Sequence, residues 1–169
     1  RSVLTLRALR TLETARAFAE QAGASAIEPQ HVLLALTRSR GSLAQLILKH
    51  WRLAATAQPP AARPGRSLVL ADAARTLLTH AVAIAAKHRH RHVGTEHLLF
   101  GAVTLEPRHY PATPFGAPIL AKIRTHLEEV FTGLNHFPAL ANLAEVAASL
   151  RALAANVGPP GASEVSDQR

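Results

Sequence analysis

The strongest constraint on this chain is that it matches itself. Shifting the sequence so that Leu4 falls on Leu70 also brings Ala8 onto Ala74, Leu12 onto Leu78, Ala15 onto Ala81, Ala19 onto Ala85, His31 onto His97 and Leu33 onto Leu99. Apolar character is kept at Phe18/Ile84, Ile27/Val93, Val32/Leu98 and Leu34/Phe100, and no gap is needed between Leu4 and Leu36. A period of this length signals one supersecondary unit used twice, each copy burying what the other leaves open.

Positions 4, 8, 12, 15 and 19 are spaced three or four apart, which sets them along one stripe of an α-helix. Each copy therefore opens with a long amphipathic helix. The first runs over about Thr5–Ala22 and ends at Gly23, a residue suited to a left-handed cap. The second runs over about Ala71–Lys87, with Asp72 in the first turn, where the helix dipole favours an acid.

A second, mostly apolar helix follows in each copy. Pro29 fits a first helical position ahead of Gln30–Thr37, and Thr95 reads as the N-cap of Glu96–Val103. Copy one adds a third helix, Leu43–Trp51, after the cap signal Gly41-Ser42, with Leu43, Leu46, Ile47 and His50 along one side. Copy two departs after Val103. Glu106–Pro118 holds four prolines and reads as an inserted loop, and a helix over about Pro118–Phe131 resumes and stops at Gly133.

The expected architecture is all-α: one domain over 1–133, made of repeat one (4–52), a Pro/Gly linker (53–67) and repeat two (68–133). An additional amphipathic helix over 134–157, striped by Leu140, Leu143, Val146, Leu150 and Leu153, precedes a disordered tail over 158–169. That helix either folds back on the repeats or serves docking or dimerisation. Composition fits closely approaching helices, because the apolar residues are mostly Ala, Leu and Val, with five Phe, one Tyr and one Trp among 169 residues.

Several chemistries fall away. With no cysteine there is no disulfide, thiolate metal site or cysteine nucleophile. None of the nine glycines precedes a lysine, so the phosphate-cradling loop of an ATPase is absent from this sequence. Glu128 and Glu129 are neighbours on a helix, splayed by about 100°, and do not form an acid/base couple; no G-x-S-x-G context surrounds a serine. No catalytic residue, metal ligand or cofactor is expected. No apolar run reaches the ~20 residues of a membrane span, and a soluble cytoplasmic protein is the expectation.

Histidines are prominent. His88-Arg89-His90-Arg91-His92 reads as a solvated basic loop, with contact to an anionic partner as one alternative and metal binding, which the interleaved arginines disfavour, as the other. His31 and His97 recur beside apolar runs with no partner recurring alongside, and read as core histidines donating to backbone carbonyls.

The string Val93-Gly94-Thr95-Glu96-His97-Leu98-Leu99, with its degraded copy Ile27-Glu28-Pro29-Gln30-His31-Val32-Leu33-Leu34, resembles the signature of the amino-terminal double repeat of Clp-type protein unfoldases. The resemblance covers residues 4–51 and 68–103, and the helix near 119–131 takes the place of the last repeat helix. It implies a non-catalytic domain, here without ATPase modules, that binds protein substrates or adaptors and works with a Clp ATPase or peptidase. In some members a glutamate of the G-T-E-H string grips the guanidinium of a phosphorylated arginine, and a threonine opening the first helix helps to hold the phosphate. Copy one carries Thr5 with Gln30 in place of the glutamate, whereas copy two carries Glu96 with Ala71 in place of the threonine. The resemblance therefore marks Thr5 and Glu96 as binding residues.

The competing reading is a basic nucleic-acid-binding helical protein. Residues 1–133 hold 17 Lys and Arg against 8 Asp and Glu, including Arg7, Arg10, Arg38, Arg40, Lys87, Arg89 and Arg91. Aromatic residues for base stacking are scarce and no recognition-helix motif is present, which counts against it. An Arg- and Ala-rich composition is equally what a GC-rich genome produces.

Overall fold

A computed structural model describes residues 3–51, 68–110 and 117–135. Six helices account for most of them: α1 (Leu6–Gln21), α2 (Pro29–Arg38), α3 (Leu43–His50), α4 (Asp72–Lys87), α5 (Thr95–Val103) and α6 (Ala117–Asn135). Two strands of two residues, β1 (Ala26–Ile27) and β2 (Val69–Leu70), complete the frame, with a short 3-10 turn at Pro107–His109. The fold is an all-α pair of helical repeats, as the sequence periodicity predicts.

The two copies repeat down to their caps. α1 ends in the pair of hydrogen bonds Gly23 N to Glu20 O (3.1 Å) and Ala24 N to Ala19 O (2.9 Å). α4 ends in the equivalent pair, Arg89 N to Ala86 O (3.0 Å) and His90 N to Ala85 O (2.9 Å). This closure needs a left-handed residue after the cap. Gly23 supplies it with φ 68°, whereas Arg89 is forced into the same region with φ 57°.

What the sequence pattern does not reveal is how the copies join. β1 pairs with β2 in parallel, Ala26 opposite Val69 and Ile27 opposite Leu70, while Leu4 forms an isolated parallel bridge to Val93. Each copy's entry into its first helix thus pairs with the other copy's entry into its second. The bonds match under the same shift: Thr5 N donates to Val93 O at 3.0 Å, and Ala71 N donates to Ile27 O at 2.9 Å. The copies are interlocked rather than set side by side.

The core between them is built from Leu33, Leu36 and Leu48 of copy one and Leu77, Leu98 and Leu99 of copy two, all fully buried. The crossing of α4 and α5 depends on Gly101, because a β-carbon there would run into the carbonyl of Leu77. α6 lies against α5 and buries Leu120, Ile123, His126, Leu127, Val130 and Phe131. The spacing of those residues is that of one helix face.

Four details differ from the sequence reading. α5 is capped by Gly94, with Thr95 inside the first turn, buried, its hydroxyl 3.5 Å from the Ala44 amide it accepts from. The buried face of α3 is Ala44, Ile47 and Leu48, rotated from the Leu43/Leu46 stripe, because α3 packs against both α2 and α5. α6 continues through Gly133 to Asn135. In the segment after Val103, which reads as a loop, Pro107–His109 form a 3-10 turn and Tyr110 donates its hydroxyl proton to Ala102 O at 2.6 Å. The linker 53–67, all but the first two residues of the helix expected over 134–157, which belong to α6, and the tail 158–169 lie outside the described residues.

Candidate functional site

The interlocking of the strands decides which residues can act together. Thr5 is joined through its amide to Val93, three residues before Glu96. Ala71 is joined in the same way to Ile27, three residues before Gln30. The strand pairing thus sets Thr5 beside the entry to the helix that carries Glu96, and Ala71 beside the entry to the helix that carries Gln30, across the copies rather than within them. One pseudo-symmetric corner carries both residues that the resemblance marks, and the other carries Gln30 and Ala71 in their places.

At the Thr5/Glu96 corner, Thr5 is the N-cap of α1, its Oγ1 accepting from Ala8 N at 3.2 Å. Glu96 sits in the first turn of α5, and its side chain is only 16% exposed. The carboxylate folds back over Gly94, where a β-carbon would lie 2.5 Å from Glu96 Oε1, so the bare glycine opens room for it. Burial raises the Glu96 pKa, opposed by a hydrogen bond from its own backbone amide. A carboxylate stripped of water in this way gains most from an incoming cation, above all a guanidinium.

The neighbouring histidine is not that cation. Glu96 Oε1 lies 3.2 Å from His97 Nδ1, yet His97 is kept neutral: burial, with the charges of His90 and His88, brings its pKa down to about 3. Its Nδ1 accepts the Gly94 amide proton at 2.9 Å, which leaves its own proton on Nε2, 2.7 Å from His90 Nδ1. His31 repeats the arrangement, accepting from Glu28 N at 2.9 Å. Both are core histidines, but acceptors from the backbone at a helix start rather than donors to carbonyls. They fill the place that Glu or Gln takes in an ordinary capping box.

The same contacts revise the basic loop. His88 and His90 stack on each other with ring centres 5.9 Å apart, and both lie against Phe131, at 5.3 and 6.0 Å. Of that run, Arg89, Arg91 and His92 are exposed, while His88 and His90 are partly buried. Among the described residues no cluster of three or more His, Cys, Asp or Glu side chains could hold a metal ion. Nor is any helix among them long and apolar enough to cross a membrane.

The Gln30/Ala71 corner opens into a cavity of about 270 Å³ lined by Glu28, Pro29, Gln30, Ala71, Ala73, Arg108 and His109. Here Gln30 Nε2 donates to Glu28 Oε2 at 3.0 Å. Glu28 stands at the position of Gly94, so a carboxylate survives in copy one, shifted to the cap and exposed. The sequence reading passed over Glu28; the signal was its place two residues before Gln30 in the degraded string. Val3 and Val69, at equivalent places beside the two corners, are 55% and 62% exposed.

Among solved structures, the chain is similar to one described as coming from preliminary structural investigations of a malarial protein secretion system, with 20% identity and a TM-score of 0.50, covering 75% of this chain and 95% of that one. It is also similar to the N-terminal domain of the caseinolytic protease associated chaperone ClpD from Arabidopsis thaliana, with 14% identity, a TM-score of 0.45 and coverage of 88% and 92%. No curated protein matches. The family model for the Clp repeat (R) N-terminal domain matches residues 3–109, the span that holds α1 to α5 and both corners, and the chain belongs to that family.

Proposed function

We propose that this protein is a binding domain for protein clients or adaptors of a Clp-type unfolding or proteolytic system, acting by surface contact and without turnover. The interlocked unit spanning 4–52 and 68–133 is the binding body, and the Thr5/Glu96 corner is its principal contact. The observation that carries the reading is the Thr5 N to Val93 O bond, which brings the α1 cap of one copy to the α5 start of the other.

The preferred target is an arginine side chain, phosphorylated in the fullest version of the site. Glu96 receives the guanidinium in a charge-assisted fork, and the free amides opening α1 together with the Thr5 hydroxyl face the phosphate. The exposed Val3 and Leu6, 55% and 64% open, offer apolar contact to the flanking client residues. Loss of a charged hydrogen bond of this kind costs about 1.5–3 kcal/mol, so the Gln30/Ala71 corner is the weaker of the two.

Calorimetry at low salt tests this. Phosphoarginine is expected to give a binding heat that Glu96→Gln abolishes. No heat from the unaltered protein, while ordinary acidic peptides still bind, would remove phosphoarginine as the target. An affinity capture with Glu96→Ala as control addresses the class: a Clp ATPase, its peptidase or a defined client should be recovered only with the unaltered protein.

A further inference from the structure

A second concentration of recognition chemistry lies away from Glu96, between the outer side of α1 and the end of α2. Arg7, Arg10, Arg38 and Arg40 surround a cavity of about 300 Å³ together with the hydroxyls of Thr11 and Ser39. No carboxylate lines it. Among the described residues the arginine ion pairs are made by Arg16, Arg75 and Arg108, not by these four.

Four permanently charged guanidinium groups round one cavity repel one another, less so where Arg7, Arg10 and Arg40 are exposed to water, and together they favour an anion. The dipole of α2 accounts for Arg38, a cation in the last turn, but not for the other three. A second observation points to anion binding: Nε of the partly buried Arg38 is itself buried and has no hydrogen-bond partner among the described residues. A buried donor of this kind in a native protein calls for an acceptor. The cavity is also held in shape, because Arg7 donates to the carbonyl of Gly41, which turns the chain with φ 72°, and the Thr11 and Ser39 hydroxyls lie 3.3 Å apart across the α1/α2 seam.

We infer that this cavity binds the dianion of a phosphomonoester. The guanidinium groups and the Ser39 hydroxyl offer donors to the three terminal oxygens of such a group, while the Thr11 hydroxyl, which donates to Arg7 O at 2.8 Å, holds the wall in place; the charge of the dianion relieves the repulsion among the arginines. A phosphorylated arginine fits poorly here, because its own guanidinium would face four others. The site is thus distinct in chemistry from the Glu96 corner. A phosphoserine or phosphothreonine side chain of a client and a free mononucleotide both present the required group.

The test is a calorimetric titration of the full chain with four peptides of one sequence, carrying serine, phosphoserine, glutamate or phosphoarginine at the centre, and with AMP and a ten-nucleotide single-stranded RNA, at 150 mM salt. The phosphoserine peptide or AMP is expected to bind at least tenfold more tightly than the serine and glutamate peptides, and which of the two binds identifies the source of the phosphate. R10A/R40A, altered at two exposed positions and checked for native helicity by circular dichroism, is expected to lose more than tenfold in that affinity. It should leave any Glu96-dependent phosphoarginine binding unchanged. K122A/R124A, which removes two exposed charges from α6, should have no effect. The inference is overturned if neither the phosphoserine peptide nor AMP binds more tightly than the serine peptide, if R10A/R40A binds as the unaltered protein does, if K122A/R124A weakens binding equally, or if the RNA binds more tightly than either phosphomonoester.

Discussion

The indole Nε1–H of Trp51 donates to Nδ1 of His126 at 2.7 Å, in a contact where the tryptophan is 5% exposed and the histidine not at all. It ties the end of α3 in copy one to the middle of α6. Since His126 accepts through Nδ1, its proton is on Nε2, and the ring is further packed against His50 with centres 5.2 Å apart. Trp51→Phe keeps most of the apolar volume and leaves a buried nitrogen without its donor. A loss of about 1–3 kcal/mol is expected in urea unfolding; a change within 0.5 kcal/mol would show that the bond carries little weight.

Two buried imidazoles give the fold an acid limit. Burial, helped by the charge of His50, lowers His126 to about 4, and His97, beside His90 and His88, is lowered to about 3. In the unfolded chain both take up a proton near 6.5. Below that pH the unfolded chain binds more protons than the folded one, so stability is complete above about 6.5 and falls with pH through 6 and 5 towards 4. Each group contributes up to ~1.4 kcal/mol per pH unit over that window. Unfolding free energies measured between pH 7.5 and 4.5 should decline steeply, and His126→Gln should flatten the decline even where it lowers the whole curve. A profile level from 7.5 to 4.5 would contradict the burial of both rings.

At Gly101 the limit is steric. The Leu77 carbonyl occupies the space that a β-carbon would need, and both elements are helical backbone that cannot yield as a side chain would. Gly101→Ala therefore forces α4 and α5 apart despite the better helix propensity of alanine. A loss of ~1–3 kcal/mol or more is expected by thermal or denaturant unfolding. A stabilised variant would place the helix crossing elsewhere.

Because the copies are equivalent, residues of one should repair weak points in the other. Arg89 is left-handed where copy one has Gly23. Arg89→Gly should stabilise by about 0.5–1 kcal/mol, the relief of the side-chain clash less the added freedom of the unfolded chain. Ala71 caps α4 with no side-chain bond where Thr5 caps α1 with one. Ala71→Thr should contribute ~1 kcal/mol. Unfolding curves of the two variants and their combination check both, and destabilisation by either would argue against equivalence at that position.

Much of this was legible in the residues because helices advertise themselves over many positions. The stripe from Leu4 to Ala19 and its echo from Leu70 to Ala85 located α1 and α4 within a residue or two. Strands of two residues carry no such signal, so the crossing of Leu4 to Val93 and of Leu70 to Ile27 could not be read, and with it the grouping of Thr5 with Glu96 was missed. The N-cap of α5 was misplaced for a related reason. Thr95 is a good capping residue, but tertiary packing against α3 takes its hydroxyl and leaves Gly94 at the cap. The acceptor role of His31 and His97 depends on which ring nitrogen meets the amide, and no spacing rule encodes that.

The interlocking of the copies is tested most directly by NMR couplings across hydrogen bonds in uniformly labelled protein. The account predicts a coupling from the Thr5 amide to the Val93 carbonyl and a matching one from the Ala71 amide to the Ile27 carbonyl. Couplings within a copy instead, from Thr5 to Ile27 or from Ala71 to Val93, would contradict it.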